Sequence, residues 1–374
     1  FVNASTWALM LTGRVVKLDD ETRRDYGDVL RRMIHRSGEP VIRNAMWRAM
    51  RILGRQFVMG RTIKEALSRA KGYERTGYRY SYDMLGEAAR TDADALTYYR
   101  SYLDAIDAIG KQSNGRGPID GPGISVKLSA LHPRYEFAQR DRVMTELMPR
   151  LRDVVRRAAH HDIGLCIDAE ETERLDLSLD IIEAISGDPE FKRWQGLGLA
   201  VQAYQKRAAP VLDWLADMAR RHERRLLVRL VKGAYWDTEI KHAQERGFDD
   251  YPVFTRKVNT DVCYLACVQK MLANLDAFYP QFASHNAHTV AYVLEAAGDT
   301  RDFEFQRLHG MGEALYDRIV DPEDYGLPCR IYAPVGGHEA LLPYLVRRLL
   351  ENGANTSFVN HIANPEVPVE DIVK

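Results

Sequence analysis

Two adjacent arginines near the end of the chain, Arg347 and Arg348, are the first residues whose type and spacing suggest chemistry. A guanidinium presents a planar fork of donors that matches the two oxygens of a carboxylate. Tyr344, Arg347, Arg348 and Glu351 recur at i, i+3, i+4 and i+7, so they share one helical face. Leu341, Leu342, Leu345, Val346, Leu349 and Leu350 form the opposite, apolar face, and Asn352-Gly353 ends the helix. Read alone, this is also the pattern of a solvated surface with an ordinary Arg347–Glu351 pair. The rest of the chain favours a site. Asp83, Lys127, Asp168, Gln202, Arg229 with Lys232, His285 with Asn286, Gln306 and Tyr332 each stand at or near the end of a short apolar run. Isolated ion pairs could explain one or two of these. Eight apolar runs that all end polar argue for a shared ligand site, because each unpaired buried charge would cost several kcal/mol.

The chemistry on offer is cationic (Lys127, Arg229, Lys232, Arg347, Arg348), carboxylate (Asp83, Asp168, Glu351) and aromatic (Tyr235, Trp236, Tyr332, Tyr344). No Ser/His/Asp order or nucleophile elbow points to acyl transfer. His285-Asn-Ala-His288 has no carboxylate cluster to complete a metal site, and no metal is expected. Lys127 or Lys232 could form an imine with a carbonyl substrate, which keeps a Schiff-base lyase or aldolase open. A non-catalytic binding module with only structural ion pairs is a third reading.

These residues are positioned by alternating strands and helices from about residue 77 onward. The expected strands are Arg79–Met84, Gly123–Leu128, Gly164–Asp168, Gly198–Gln202, Leu226–Lys232, Gln281–His285, Phe303–Leu308 and Cys329–Ala333. Between them, helical periodicity runs through Asp92–Ile109, Arg140–His160, Pro210–His222, Val258–Leu275 and Thr289–Ala297. Eight such units predict an α/β fold, a (β/α)8 TIM-like barrel over residues 76–374, with the polar strand ends gathered at its C-terminal mouth. An open doubly wound sheet is disfavoured because no GxGxxG follows the first strand. Residues 1–75 read as a helical arm, in which Thr62-Ile-Lys-Glu65 fits a capping box.

The net charge of −1, from 52 basic and 53 acidic side chains, shows no basic excess of the kind nucleic acid attracts. Four unpatterned cysteines fit a reducing compartment. No apolar run reaches the ~18 residues of a membrane span, and no signal peptide is evident. The chain starts at Phe1 without Met and is expected to be a fragment of something longer.

Several long motifs are recognisable. Arg79-Tyr-Ser-Tyr-Asp-Met-Leu-Gly-Glu87, Gly123-Ile-Ser-Val-Lys-Leu-Ser-Ala-Leu-His-Pro-Arg-Tyr135, Ile167-Asp-Ala-Glu-Glu171, Gln202-Ala-Tyr-Gln-Lys-Arg207 and Arg229-Leu-Val-Lys-Gly-Ala-Tyr-Trp236 resemble the proline dehydrogenase domain of the bacterial bifunctional flavoenzyme family, proline utilization A. So do Phe282-Ala-Ser-His-Asn-Ala-His-Thr289, Leu308-His-Gly-Met-Gly312, Ile331-Tyr-Ala-Pro-Val-Gly336 and Tyr344-Leu-Val-Arg-Arg-Leu-Leu-Glu-Asn-Gly-Ala354. They run in order along nearly the whole chain.

The resemblance implies a distorted barrel that binds FAD at its mouth. It also implies oxidation of L-proline to Δ1-pyrroline-5-carboxylate by hydride transfer from proline C5 to flavin N5, with electrons then passed to a quinone. This is the first step of proline catabolism to glutamate. By resemblance, Arg347, Arg348 and Lys127 would bind the proline carboxylate, Tyr332, Tyr344 and Leu308 would enclose its ring, and Asp83 and Glu351 would orient the arginines. Arg229, near N5, Asp168 and Lys127 would carry catalysis. Gln202, Val231, Gly233, Ala234, Tyr235, Trp236, Thr255, Lys257 and Thr260 would line the cofactor, together with Ser284, His285, Asn286, Gln306 and Glu351. The family's aldehyde dehydrogenase part has no counterpart here. The chain is expected to begin after the point where some members carry a DNA-binding module, so no nucleic-acid partner is expected. A cytoplasmic, bacterial location is expected, with peripheral association to the inner membrane when reduced.

Overall fold

A computed structural model describes residues 57–337. Contacts divide the chain into two compact units, 1–56 and 57–374. Eight parallel strands close into a barrel in sequence order: β1 Tyr78–Met84, β2 Gly123–Val126, β3 Gly164–Ile167, β4 Leu197–Gln202, β5 Leu226–Val231, β6 Phe278–Ala283, β7 Glu304–Leu308 and β8 Cys329–Val335. The (β/α)8 architecture read from the sequence is the one observed. Closure runs through a seven-residue register between β1 and β8, in which Ser81 faces Tyr332 and Met84 faces Val335.

The major helices are α1 Ile63–Glu74, α2 Asp92–Ser113, α3 Arg140–His160, α4 Leu175–Ser186, α5 Ala208–Arg221, α6 Trp236–Glu245, α7 Lys257–Leu272, α8 Ala287–Ala297 and α9 Glu313–Val320. α3 shows why its boundaries were legible. Val143, Leu147, Leu151, Val154, Val155 and Ala158 make a buried stripe against the barrel, while the intervening positions are rich in arginine. α2 begins at a full capping box, in which Thr91 accepts from Asp94 N–H and the Asp94 carboxylate accepts from Thr91 N–H.

The start of α1 differs from expectation. Thr62 Oγ1 accepts from Glu65 N–H at 3.3 Å, but the Glu65 carboxylate reaches Arg61 N–H at 2.9 Å instead of the cap residue's own amide. α1 lies in the stretch read as an arm, yet it buries Ala66, Leu67 and Ala70. Just before it, Met59 N–H donates to Pro334 O at 2.8 Å and Gly60 bridges Val335, so residues from 57 onward attach to β8. Strand ends moved by one to three residues. β6 starts at Phe278, and His285 falls in the turn beyond it.

Between the strands and the helices lies the apolar core, with Tyr80, Phe278, Phe282, Phe303 and Phe305 among its large side chains, all fully buried. The inner face is different. Ser81, Asp83, Ser125, Lys127, Arg229, Gln281, Glu304, Gln306 and Arg330 are buried polar residues, joined to one another across the barrel. Three carboxylates (Asp83, Asp168, Glu304) face three buried cations (Lys127, Arg229, Arg330), and Arg79, at the edge, is shared between Glu304 and Asp120, so the interior is balanced in charge. Balance is what makes such burial tolerable, since an unpaired ion there would cost several kcal/mol. Among the described residues no helix is long and apolar enough to cross a membrane.

Candidate active site

At the C-terminal mouth the ends of β1, β2, β3 and β8 bring four side chains together. Lys127 Nζ donates to Asp83 Oδ1 at 2.7 Å, Asp168 Oδ2 at 3.0 Å and the Tyr332 hydroxyl at 3.1 Å. Those three partners use all three ammonium hydrogens. Burial alone would lower the Lys127 pKa, but Asp83, Tyr332 and Asp168 outweigh it and hold the ammonium well above its usual range. The Tyr332 hydroxyl in turn donates to Asp168 Oδ2 at 2.7 Å.

Arg229, on β5, reaches across to the same group. Its Nη1 donates to Asp168 Oδ1 at 2.6 Å, its Nε to Gln306 Oε1 at 2.7 Å, and its Nη2 to Ser125 Oγ at 3.0 Å. The guanidinium lies 5.0 Å from the Tyr332 ring centroid, within cation–π range. Burial works against ionisation of Asp168, and Lys127 and Arg229 overcome it, holding this carboxyl below its ordinary value. Asp83 goes the other way: burial and the Asp168 charge raise it despite Lys127. The two carboxylates are thus chemically distinct, and Asp168 is the one firmly kept as an anion.

The expected cofactor-lining residues gather at the ends of β4 to β7. Gln202 is buried and donates from Nε2 to Glu170 O at 2.8 Å. Beyond β5, Gly233 has φ +133, and a Cβ there would lie 2.5 Å from the Tyr204 ring. Only glycine lets the backbone pass that close in that conformation. Trp236 is 41% exposed and its indole N–H donates to Phe254 O. Lys232 Nζ pairs with Asp261, which also accepts from Lys257 at 2.8 Å. Lys257 opens α7, and Thr260 is buried one turn further on. At the start of α8, Asn286 caps the helix by accepting from Thr289 N–H at 3.0 Å, and its own N–H donates to Ser284 Oγ. His285 Nε2 accepts from Leu308 N–H at 3.0 Å, which places the ring proton on Nδ1 in a neutral imidazole. Val231, Ala234, Tyr235 and Thr255 belong to the same rim. Gln306 is placed differently from a simple lining residue, since both ends of its amide are committed, to Arg229 and to Glu304.

Tyr344, Arg347, Arg348 and Glu351 lie outside the described residues. Ser81, Ser125, Gln281, Glu304 and Arg330 were missed by sequence reasoning. For four of them the signal was present: Ser81/Asp83, Ser125/Lys127, Glu304/Gln306 and Arg330/Tyr332 are polar pairs at i,i+2, which a strand puts on one face. Among the described residues no group of three or more His, Cys, Asp or Glu side chains could hold a metal ion.

A closed (β/α)8 barrel with a charge-balanced polar interior rising to its C-terminal mouth has the architecture of a barrel enzyme. The family model described as proline dehydrogenase matches residues 66–361, and the chain belongs to the proline dehydrogenase family. It is 58% identical over its whole length to the bifunctional protein PutA of Klebsiella aerogenes and 57% identical to that of Escherichia coli, spanning 29% of each. Proline dehydrogenase 1 of Bacillus subtilis is 28% identical over 83% of this chain and 90% of its own length. A variant of proline utilization A from Bradyrhizobium japonicum superposes with a TM-score of 0.81 at 56% identity, over 92% of this chain and 35% of that one. The Bdellovibrio bacteriovorus protein inactivated by N-propargylglycine superposes at 0.83 with 30% identity, over 89% and 36%. A second family model, described as the DNA-binding domain of proline dehydrogenase, matches residues 1–57. This corrects the expectation that the chain starts beyond such a module. The match falls on the stretch read only as a helical arm, where no DNA-contacting motif was recognised.

Proposed function

We propose that this chain oxidises L-proline to Δ1-pyrroline-5-carboxylate with FAD held at the barrel mouth. Family membership supports the substrate, and the observation that carries the cofactor is the rim of β4 to β7. There Gly233 brings the backbone in close, Trp236 offers an exposed ring, and Lys257 with the first turn of α7 offers positive charge. A flat ring system linked to phosphates fits that donor set. Gln202, Arg229, Gly233, Trp236, Lys257, Thr260, His285 and Asn286 would hold it. Bound there, FAD would supply the two-electron acceptor, at N5, for the hydride leaving proline C5, and a quinone would be the final acceptor.

The chain's own residues would then bind, orient and set the charge. Arg347 and Arg348 would anchor the proline carboxylate, while Lys127, with its hydrogens already engaged, would contribute positive potential more than a free donor. Tyr332, partly exposed at the mouth, would wall the ring with Leu308 and Tyr344. Arg229 is aligned by Asp168 and Gln306 and would favour negative charge gathering beside it. Proline first gives up an amine proton to solvent. Its nitrogen lone pair then forms the C5=N bond as the hydride departs, and loss of the remaining N–H proton leaves the imine. Placement of C5 matters more here than a strong base. We place this reaction in the cytoplasm, beside the membrane that holds the quinone.

The test is an anaerobic visible spectrum of the purified protein, before and after L-proline. Flavin bands that bleach support the reading, and bands that persist remove the substrate. A colourless protein that takes up no FAD removes the cofactor too. One observation favours a second reading: burial pushes Lys232 below the usual lysine range despite Asp261, as an imine-forming lysine requires. Borohydride trapping of a carbonyl substrate on Lys232 would select it.

A further inference from the structure

We propose that Glu304 is a positioning residue that acts through Gln306 on Arg229. The carboxylate sits deep in the barrel and is fully buried. Its Oε1 accepts from Arg330 Nε at 2.6 Å, Gln281 Nε2 at 2.8 Å and Gln306 Nε2 at 2.9 Å. Its Oε2 accepts from Arg330 Nη2 at 3.0 Å and Arg79 Nη1 at 3.3 Å. Five donors from four strands converge on one carboxylate, so it has a single orientation.

That orientation decides which way Gln306 points. An amide can present either its oxygen or its NH2, and the two ends are nearly equal in shape. Glu304 accepts only, so it selects the NH2 end and leaves Oε1 facing Arg229 Nε, 2.7 Å away. Were the amide reversed, two donors would meet in a buried site, at a cost of a buried unsatisfied hydrogen bond. Arg229 is then held from three sides, by Gln306, Asp168 and Ser125. The chain of contacts Arg330–Glu304–Gln306–Arg229–Asp168 runs from the barrel interior to the mouth, and Glu304 is the link that carries direction. It touches neither substrate nor cofactor in the role assigned to it.

The kinetic part of this inference rests on the proline-oxidising reading above, whereas its structural part does not. The experiment compares Gln306→Met, the pair Glu304→Leu/Arg330→Met, and the triple combination. The pair removes both charges together, because a lone buried partner would unfold the protein. Three quantities are read on the full chain: kcat and KM for proline, the NMR resonance of the Arg229 Nε–H, and Tm. If Glu304 acts through Gln306, the single and the pair each lower kcat by roughly 10–100-fold with KM nearly unchanged. The triple is then no worse than Gln306→Met alone, and the Arg229 resonance moves in all three. A triple variant whose losses multiply would overturn the proposal. So would a pair variant that lowers Tm but leaves kcat and the Arg229 resonance at wild-type values. Should the pair misfold, Glu304→Met/Arg330→Leu makes the same comparison with the bulk exchanged. A wild-type chain that proline does not reduce would sink the proposed function, and the Arg229 resonance would still decide the positioning role.

Discussion

The Tyr332 hydroxyl donates to Asp168 Oδ2 at 2.7 Å, tying the last strand of the barrel to the end of the third. The same hydroxyl accepts from Lys127, so it is shared by an anion and a cation. Tyr332→Phe keeps the ring under Arg229 and removes both bonds, and should cost about 1–3 kcal/mol of stability, the price of hydrogen bonds to charged groups. Tyr332→Ser removes the ring as well and should relax discrimination against ring-substituted prolines. Urea unfolding checks the first variant and relative kcat/KM the second. Unaltered selectivity in Tyr332→Ser would remove the ring-wall role.

Asp168 stands between two buried cations, and Asp168→Asn leaves both with one anion, Asp83. An uncompensated buried charge costs about 3–5 kcal/mol, so a loss of that size is expected in denaturant unfolding at neutral pH. A loss below about 1 kcal/mol would mean that solvent reaches these groups and that they are not buried as a unit.

Gly233→Ala tests the close passage beside Tyr204, on the rim proposed to hold the cofactor. The left-handed φ of +133 and the 2.5 Å approach to the Tyr204 ring both oppose a methyl group. Strain of about 1–3 kcal/mol is expected, with weaker FAD retention on gel filtration. Full retention of flavin would separate Gly233 from the cofactor.

His309, the residue after β7, gives the fold a pH dependence of its own. Burial, reinforced by the charges of Arg69 and Arg307, lowers its pKa to about 4, and its Nε2 has no hydrogen-bond partner. The unfolded chain takes up the proton near pH 6.5 whereas the folded one resists until about 4. Stability is therefore full above 6.5 and is lost as pH falls through that window. At pH 5 the loss is roughly 2 kcal/mol. Urea midpoints at pH 7.5 and 5.0 should differ more for wild type than for His309→Leu, and equal differences would refute the assignment.

Arg347→Met should weaken proline binding by roughly 10–100-fold, as loss of a charge-assisted pair worth about 1.5–3 kcal/mol requires. Folding should change far less, since the sequence spacing sets Arg347 apart from the apolar positions Leu345, Val346, Leu349 and Leu350. Titration of flavin reduction with proline reads the affinity, and an unchanged midpoint would end the carboxylate role.

Much of the barrel is legible in the sequence. Short apolar runs separated by amphipathic stripes identify strands and helices because burial on one face imposes a period, as Arg140–His160 shows residue for residue. The polar strand ends were legible for the same reason, being exceptions to an apolar run. Less legible were the polar residues inside the runs, Ser81, Ser125 and Glu304, which look like strand interruptions until alternation is followed through every strand. The Thr62–Glu65 motif was read correctly as a helix start and incorrectly as a reciprocal cap, because side-chain reach to Arg61 or Thr62 is decided by local geometry.

The sequence by itself determined the strand and helix order, the charge balance and the chemical types collected at the mouth, because these follow from local periodicity and composition. Only the tertiary structure decided partnership. Lys127 could have been a free donor or an imine-forming lysine, and closure of the barrel gave it Asp83, Asp168 and Tyr332 from three other strands. Gln306 could have faced any ligand, and Glu304 and Arg229 engaged both ends of its amide. Charges far apart in the chain meet only where strand register brings them together, and at those distances buried partners set both ionisation and direction.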